Sequence, residues 1–350
     1  MRKVGVLFVV MVVVFGLLVS CGNGGGEEAA AAEEAGDETG TEDVSGMKLG
    51  VSMYTLGAPY FAAQEQTAEK VAEELGMDYA STNAQGDMNK QLSDVEDLLA
   101  QGIDLLILNP LDPQGLIPAT MSAKEAGVPV VIMDSSIDES AYYVTTVQSN
   151  NLRNGELVGE EIADQMSGTP IRMALISGAK GNPVGKERRQ GVFRGIIEQQ
   201  LRSEGSAGFD IVTQGWGNWA HEGGLDAMED ILTAFPDINV LLTENDSMAL
   251  GALEAIEATG KSHANSEAGE SDNILVVAAA DGQKEALALI QEGEYFATGM
   301  NDPALVARTA VEVGVDYLQG ERGFPNKTYT PAVAITAENV DEYYNPDAIF

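Results

Sequence analysis

The chain has 350 residues, 44% hydrophobic and 21% charged, longer than the roughly 250 to 300 residues at which one core divides, so two globular lobes are expected. Acids outnumber bases 55 to 19, a formal net charge of −36, which argues against nucleic acid and anionic membrane surfaces as electrostatic partners. With one cysteine there is no internal disulfide, and the fold rests on its apolar cores.

The first 20 residues read as an export signal: Met1-Arg2-Lys3, then an apolar run from Val4 to Val19, too short and wrongly flanked for a membrane span. Its closing residues, Leu18-Val19-Ser20-Cys21, resemble the lipobox of bacterial lipoproteins. That resemblance implies cleavage before Cys21, lipidation of its thiol, and an exported protein anchored to the cell membrane, facing the periplasm or the cell exterior. The alternative is a plain secretory signal with an incidental cysteine. Residues 21–46 follow as a tether of glycines, alanines and acids without a base. Such a segment buries too little to offset its ordering entropy. Its glycines are no phosphate loop, since no strand precedes them and no helix follows.

From Met47 strands and helices alternate. Lys48 to Met53 is an apolar strand, and Phe61, Ala68, Val71, Ala72 and Leu75 recur at helical spacing up to Gly76. Asp87 is placed to cap the next helix, with Leu92, Val95, Leu98 and Leu99 on one face and Gly102 closing it. Leu105–Leu108 and Val128–Met133 are unbroken apolar runs, as in parallel strands covered on both faces. A helix from Leu116 to Ala126 lies between them. Further strands are expected near 173–176, 211–213, 240–243, 274–279 and 296–298, and helices near 186–201, 223–233, 248–258, 283–291 and 304–318. The fold class is therefore α/β, with parallel sheets and right-handed crossovers.

Polar residues follow most strands: Asn109, Asp134-Ser135, Asn245-Asp246, Asp281 and Asn301-Asp302. In open α/β sheets the carboxyl ends of strands face the ligand crevice, so these residues are expected to converge; singly, each would serve equally well as a turn or cap.

Gly57-Ala58-Pro59-Tyr60-Phe61, Asn109-Pro110 and Asn245-Asp246-Ser247-Met248-Ala249-Leu250-Gly251-Ala252 resemble the type I periplasmic sugar-binding proteins, in their ribose-binding branch, over about Lys48 to Val333. Regulators of the lac-repressor class share the last motif, but residues 1–46 carry an export signal and no helix-turn-helix pattern. The resemblance implies two doubly wound parallel-sheet lobes joined by a three-crossing hinge, 47–150 with 302–333 and 151–301 with 334–350. A small neutral sugar or polyol would be enclosed between them and handed to an ABC permease by a monomeric receptor without cofactor or metal.

Carried over by the same resemblance, Tyr60, Phe61 and Trp219 supply aromatic plates for a sugar ring, Asp134 and Asp281 accept from its hydroxyls, and Arg188 donates to its oxygens. Asn151, Asn245 and Asn301 are the amide positions. Arg189 is expected to be the solvated neighbour of Arg188. Ser135 and Ala58 depart from the ribose-binding branch, which carries an arginine and an asparagine there. That leaves a pentose, a hexose, a polyol or a cyclitol as ligand. Two rival readings stay open: an exported glycosidase using Asp134 and Asp281 as paired carboxylates, and a receptor serving mainly chemotaxis or signalling.

Overall fold

The computed structural model describes residues 43–350; the export signal, Cys21 and the tether up to residue 42 lie outside the described residues. The first half runs β1 (Lys48–Met53), α1 (Pro59–Glu74), β2 (Asp78–Asn83), α2 (Met88–Ala100), β3 (Leu105–Asn109), α3 (Ile117–Ala126), β4 (Val130–Met133) and β5 (Thr146–Ser149). The second runs α4 (Asn151–Gln165), β6 (Arg172–Ser177), α5 (Pro183–Glu204), β7 (Asp210–Trp216), α6 (His221–Ala234), β8 (Val240–Thr243), α7 (Asp246–Thr259), β9 (Leu275–Ala278), α8 (Lys284–Glu292) and β10 (Thr298–Gly299). The chain finishes with α9 (Pro303–Leu318), β11 (Lys327–Thr330) and β12 (Ala334–Ile335). Among the described residues no helix is long and apolar enough to cross a membrane.

Two parallel sheets result, ordered β11-β5-β4-β3-β1-β2 and β7-β6-β8-β9. Their central strands are largely apolar, β4 at every position and β3 and β8 at all but the last, because helices cover both faces. In β3, Leu105 and Ile107 face a core shared with α1 and α9, whereas Leu106 and Leu108 face one shared with α2 and α3. The second sheet repeats the pattern: Leu241 packs with α6 and α7, while Val240 and Leu242 pack with α4 and α5. This is the doubly wound α/β architecture.

The chain crosses between the sheets three times: from β5 into α4, from β10 into α9, and from β11 into β12. One fully buried side chain ties the crossings together. Asn154 Nδ2 donates to Ser149 Oγ at 2.8 Å and to the Met300 carbonyl at 2.6 Å, and Asn154 Oδ1 accepts from the Val333 amide at 3.1 Å. Each partner sits on a different crossing. Gly299 lets the second crossing approach, since a Cβ there would lie 2.8 Å from Asn154 Cβ.

Several elements differ from the sequence reading. β2, β5, α4, β11 and β12 are additional. β2 reads DYASTN with every residue at least partly exposed, so as an edge strand it lacks an apolar run. α4 carries Gly155 and Gly159, which look like breakers. They instead meet Gly191 and Gly195 of α5: a Cβ on Gly155 would strike the Arg188 carbonyl, and one on Gly191 the Leu152 carbonyl. Asp87 does cap α2, accepting from the Lys90 amide at 2.9 Å. Val44, assigned by sequence to the tether, is 5% exposed and joins the first core.

Replacing Asn154 by alanine would leave the half-buried Val333 amide and the buried Ser149 hydroxyl without this partner, so Asn154→Ala should lower unfolding free energy in urea by roughly 1 to 3 kcal/mol. A loss below about 0.5 kcal/mol would mean that the crossings are held by other contacts.

Candidate functional site

A cleft of about 570 Å³ opens at the carboxyl ends of the strands, and all nine side chains named from the sequence border it. Tyr60 and Phe61 sit in the first turn of α1, where Pro59 occupies the N-terminal position and forgoes no helix hydrogen bond. Their rings pack edge to face at 5.3 Å. Asp134 follows β4 directly, in a left-handed conformation with φ 65 that is uncommon for a residue with a Cβ. Its amide donates to the Val147 carbonyl at 2.7 Å, so pairing with β5 holds the turn. Tyr60 donates its hydroxyl to Asp134 Oδ1 at 2.7 Å, with Asn301 Oδ1 at 3.0 Å. Burial pushes the Asp134 carboxyl above its ordinary value, against the Tyr60 hydroxyl and the Arg188 charge. It also drives the Tyr60 phenol well up, with Asp134 adding to the shift.

Arg188 is 3% exposed, and three of its donors are committed. Nε donates to Asn151 Oδ1 at 2.9 Å, Nη1 to the Glu244 carbonyl at 2.8 Å, and Nη2 pairs with Asp281 Oδ1 at 2.6 Å. The planar fork is thereby fixed before any ligand arrives. Its guanidinium carbon lies 5.8 Å from the Trp219 ring centroid, within cation–π range. Asn301 Nδ2 adds a bond to Asp281 Oδ1 at 3.1 Å.

Arg189 is not the solvated neighbour that the sequence suggests. Its Nη1 donates to Glu244 Oε1 at 2.6 Å, and Glu244 Oε2 accepts from the Gly178 amide at 2.8 Å. Glu244 is 1% exposed, and a carboxylate so buried requires a charged partner. Arg188 borders the cleft; Arg189 neutralises the carboxylate behind it.

Trp219 lies over Gly178 and Gly185, where a Cβ would enter the space of its ring. Both Asn218 and Trp219 are left-handed, with φ 50 and 67. Asn245 is engaged at both ends of its amide: Oδ1 accepts from the Met248 amide at 3.1 Å as the cap of α7, and Nδ2 donates to the Trp219 carbonyl at 3.3 Å. It holds the tryptophan loop from the cleft edge.

Not every strand-end polar residue converges. Asn109 is buried behind the cleft and donates to Gln64 Oε1 at 3.2 Å. Asp302 caps α9 through the Ala304 amide. Asp246, fully buried, turns inward and accepts from the amides of Asp281, Gly282 and Gln283 at 3.0, 2.6 and 2.8 Å and from the Tyr295 hydroxyl at 2.7 Å. That carboxylate shapes the loop that carries Asp281. Sequence reasoning missed Tyr54, Ser149, Gln283 and Phe350, which also border the cleft. Gln283 is two residues beyond Asp281 and could have been included with it; Phe350 gives no sequence signal at all.

Residues 49–322 match the family model described as periplasmic binding protein domain. The chain belongs to the periplasmic binding protein family. It is 37% identical over 274 residues to the ribose import binding protein RbsB of Bacillus subtilis, covering 78% of this chain and 82% of that one. Among solved structures it resembles the myo-inositol-bound binding protein of Caulobacter, with a TM-score of 0.69 and 30% identity over 85% of this chain and 95% of that one. It also resembles the D-allose-bound solute-binding protein of Actinobacillus succinogenes 130z, with a TM-score of 0.73 and 26% identity over 85% of this chain and all of that one. Membership of a family of solute-binding proteins sets aside the glycosidase reading of Asp134 and Asp281.

Asp246→Ala strands three amides and a hydroxyl, so it should destabilise the protein by roughly 3 kcal/mol or more in denaturant titrations; a neutral result would show that the Asp281 loop is held otherwise. A second expectation concerns pH. A carboxyl held above its ordinary 3.8 in the folded state keeps its proton longer than the unfolded chain does, so native stability declines as pH rises from 3.8 through the raised value. Asp134→Asn cannot ionise, and its stability relative to the parent should therefore climb across that window and then level off, measured from about pH 3 to 7. A difference independent of pH would contradict the burial of Asp134.

Proposed function

We propose that this protein is the extracytoplasmic solute-binding component of an ABC importer and captures a monosaccharide or sugar-like polyol between two closing lobes, 47–150 with 302–333 and 151–301 with 334–350. The observation that carries the proposal is that the nine side chains, scattered from Tyr60 to Asn301 along the chain, border one cleft. Their chemistry suits a polyhydroxylated ring. Aromatic faces cover apolar C–H surface, carboxylates accept from hydroxyls in charge-assisted bonds, and a guanidinium donates to ring or hydroxyl oxygens without changing protonation. Tyr60, Phe61 and Trp219 are the plates, Asp134 and Asp281 the acceptors, and Arg188 the donor. Asn151, through Arg188 Nε, and Asn301, through Asp281, orient charged groups as well as facing the ligand.

Relatives support the ligand class, since one is named for ribose and two similar structures hold D-allose and myo-inositol. Ser135 and Ala58 remove an arginine and an asparagine found in the ribose-binding branch, which favours a ligand other than ribose. Binding preferentially to the closed form shifts the population toward it, and that surface is what a permease reads. The export signal, a lipid on Cys21 and the tether between Cys21 and the packed Val44 confine the receptor near its importer, raising effective concentration without added contacts. Two or more acyl chains are required for stable anchoring.

In a thermal-shift screen of sugars and polyols, a true ligand at 100 times its Kd should stabilise the protein by about 2.7 kcal/mol and be recovered unchanged. Trp219→Ala and Asp281→Asn should each weaken that ligand by on the order of 30-fold in calorimetry. The asparagine is chosen because it keeps an acceptor oxygen for the buried Arg188 Nη2, which alanine would leave without one. Normal binding by both variants, or turnover of glycosides by the parent, would overturn the proposal.

A further inference from the structure

The segment following β12 returns to the cleft. Tyr343 and Tyr344 pack on the second-sheet core, Gln291 Nε2 donates to Asp341 Oδ1 at 2.6 Å, and Lys284 Nζ donates to the Ala348 carbonyl at 2.7 Å. These contacts tie the strap to α8. Beyond them Ile349 is 49% exposed, whereas Phe350 turns inward and meets Tyr60 edge to face at 5.2 Å and 83°. Phe350 thus extends a row of rings through Tyr60, Phe61 and Tyr54. Its own anchor is on the second-sheet side, and Tyr60 belongs to α1 of the first, so the contact spans the cleft.

A second cavity of about 410 Å³ lies beside the cleft, between the strap, α1 and α8, and includes Thr67, Lys70, Leu287 and Tyr343 in its wall. Among the described residues the two cavities share only Asp281 and Phe350 as lining residues. Asp281 is held in place by Arg188, by Asn301 and through its amide by Asp246. Phe350 meets Tyr60 through its ring, two residues beyond the Ala348 carbonyl that Lys284 holds. We propose that Phe350 is a specificity-determining wall of the ligand site: its ring closes the cleft against the second cavity, limits the ligand to one sugar-sized ring, and holds the two sides together through Tyr60. The inference rests on the cleft being the sugar or polyol site.

The test compares the parent protein, Phe350→Ala and Phe350→Leu in calorimetric titrations. The probes are D-ribose, D-allose and myo-inositol, together with the mono-O-methyl ethers of whichever of these binds. Phe350→Ala should weaken the unsubstituted ligand by about tenfold, the loss expected for a buried aromatic contact. It should also accept at least one ether that the parent rejects, with a Kd within about threefold of the unsubstituted ligand. Phe350→Leu, which keeps most of the bulk, should still reject the ethers. Parent-like affinity and discrimination in Phe350→Ala would overturn the inference. Weakened binding with discrimination intact would also overturn it, by making Phe350 a contact and not a size limit. A parent that binds none of the probes, nor any member of the wider sugar and polyol panel, would instead overturn the functional reading beneath it.

Discussion

A receptor of two lobes must join them firmly enough to register and loosely enough to close, and here one amide side chain meets both demands. Asn154 is fully buried and takes a partner from each chain crossing. Three backbone segments converge where few apolar side chains fit, so their polar groups need an internal partner. A single asparagine offers donors and an acceptor on one rigid plane.

The same economy of positions governs the cleft. α4 and α5 approach closely because glycines face each other across them, and that approach brings Asn151 and Arg188 into contact at 2.9 Å. Behind them lies a layer of buried charge: Glu244 with Arg189, and Asp246 with three amides and Tyr295. None of these inner groups needs to touch a ligand. Charge-assisted bonds counter their desolvation, though burial still holds the Asp246 carboxyl above its ordinary value, and the result is a cleft whose polar groups are oriented in advance. The left-handed backbone at Asp134, Asn218 and Trp219 belongs to the same scheme, since strain is tolerated where surrounding structure fixes it.

Aromatic contacts differ in kind from this rigid layer. The row Tyr54, Phe61, Tyr60, Phe350 carries weak, geometry-dependent attractions, while Tyr60 is also held through its hydroxyl on Asp134 and Phe61 against the first core. On the proposed function, the charged groups would read the ligand's hydroxyls and the rings would bound its space.

Much of this was legible in the residues themselves. Unbroken apolar runs such as 105–108 and 240–243 report strands covered on both faces, and a polar residue at a strand's end lies at the mouth of the crevice, whatever the rest of the chain does. The edge strand β2 was illegible because its exposure leaves it no apolar run, and the short β5 and the glycine-bearing α4 because their burial comes from neighbours distant in sequence. Tertiary structure also decided which polar groups turn inward: Asp246 satisfies amides 35 and more residues away, and Arg189 serves a carboxylate 55 positions on. Phe350 meets Tyr60 across nearly the whole chain. Periodicity and motif record what each residue does for its own helix or strand; the choice of a distant partner is made only when the cores pack and unpaired buried charge must be met.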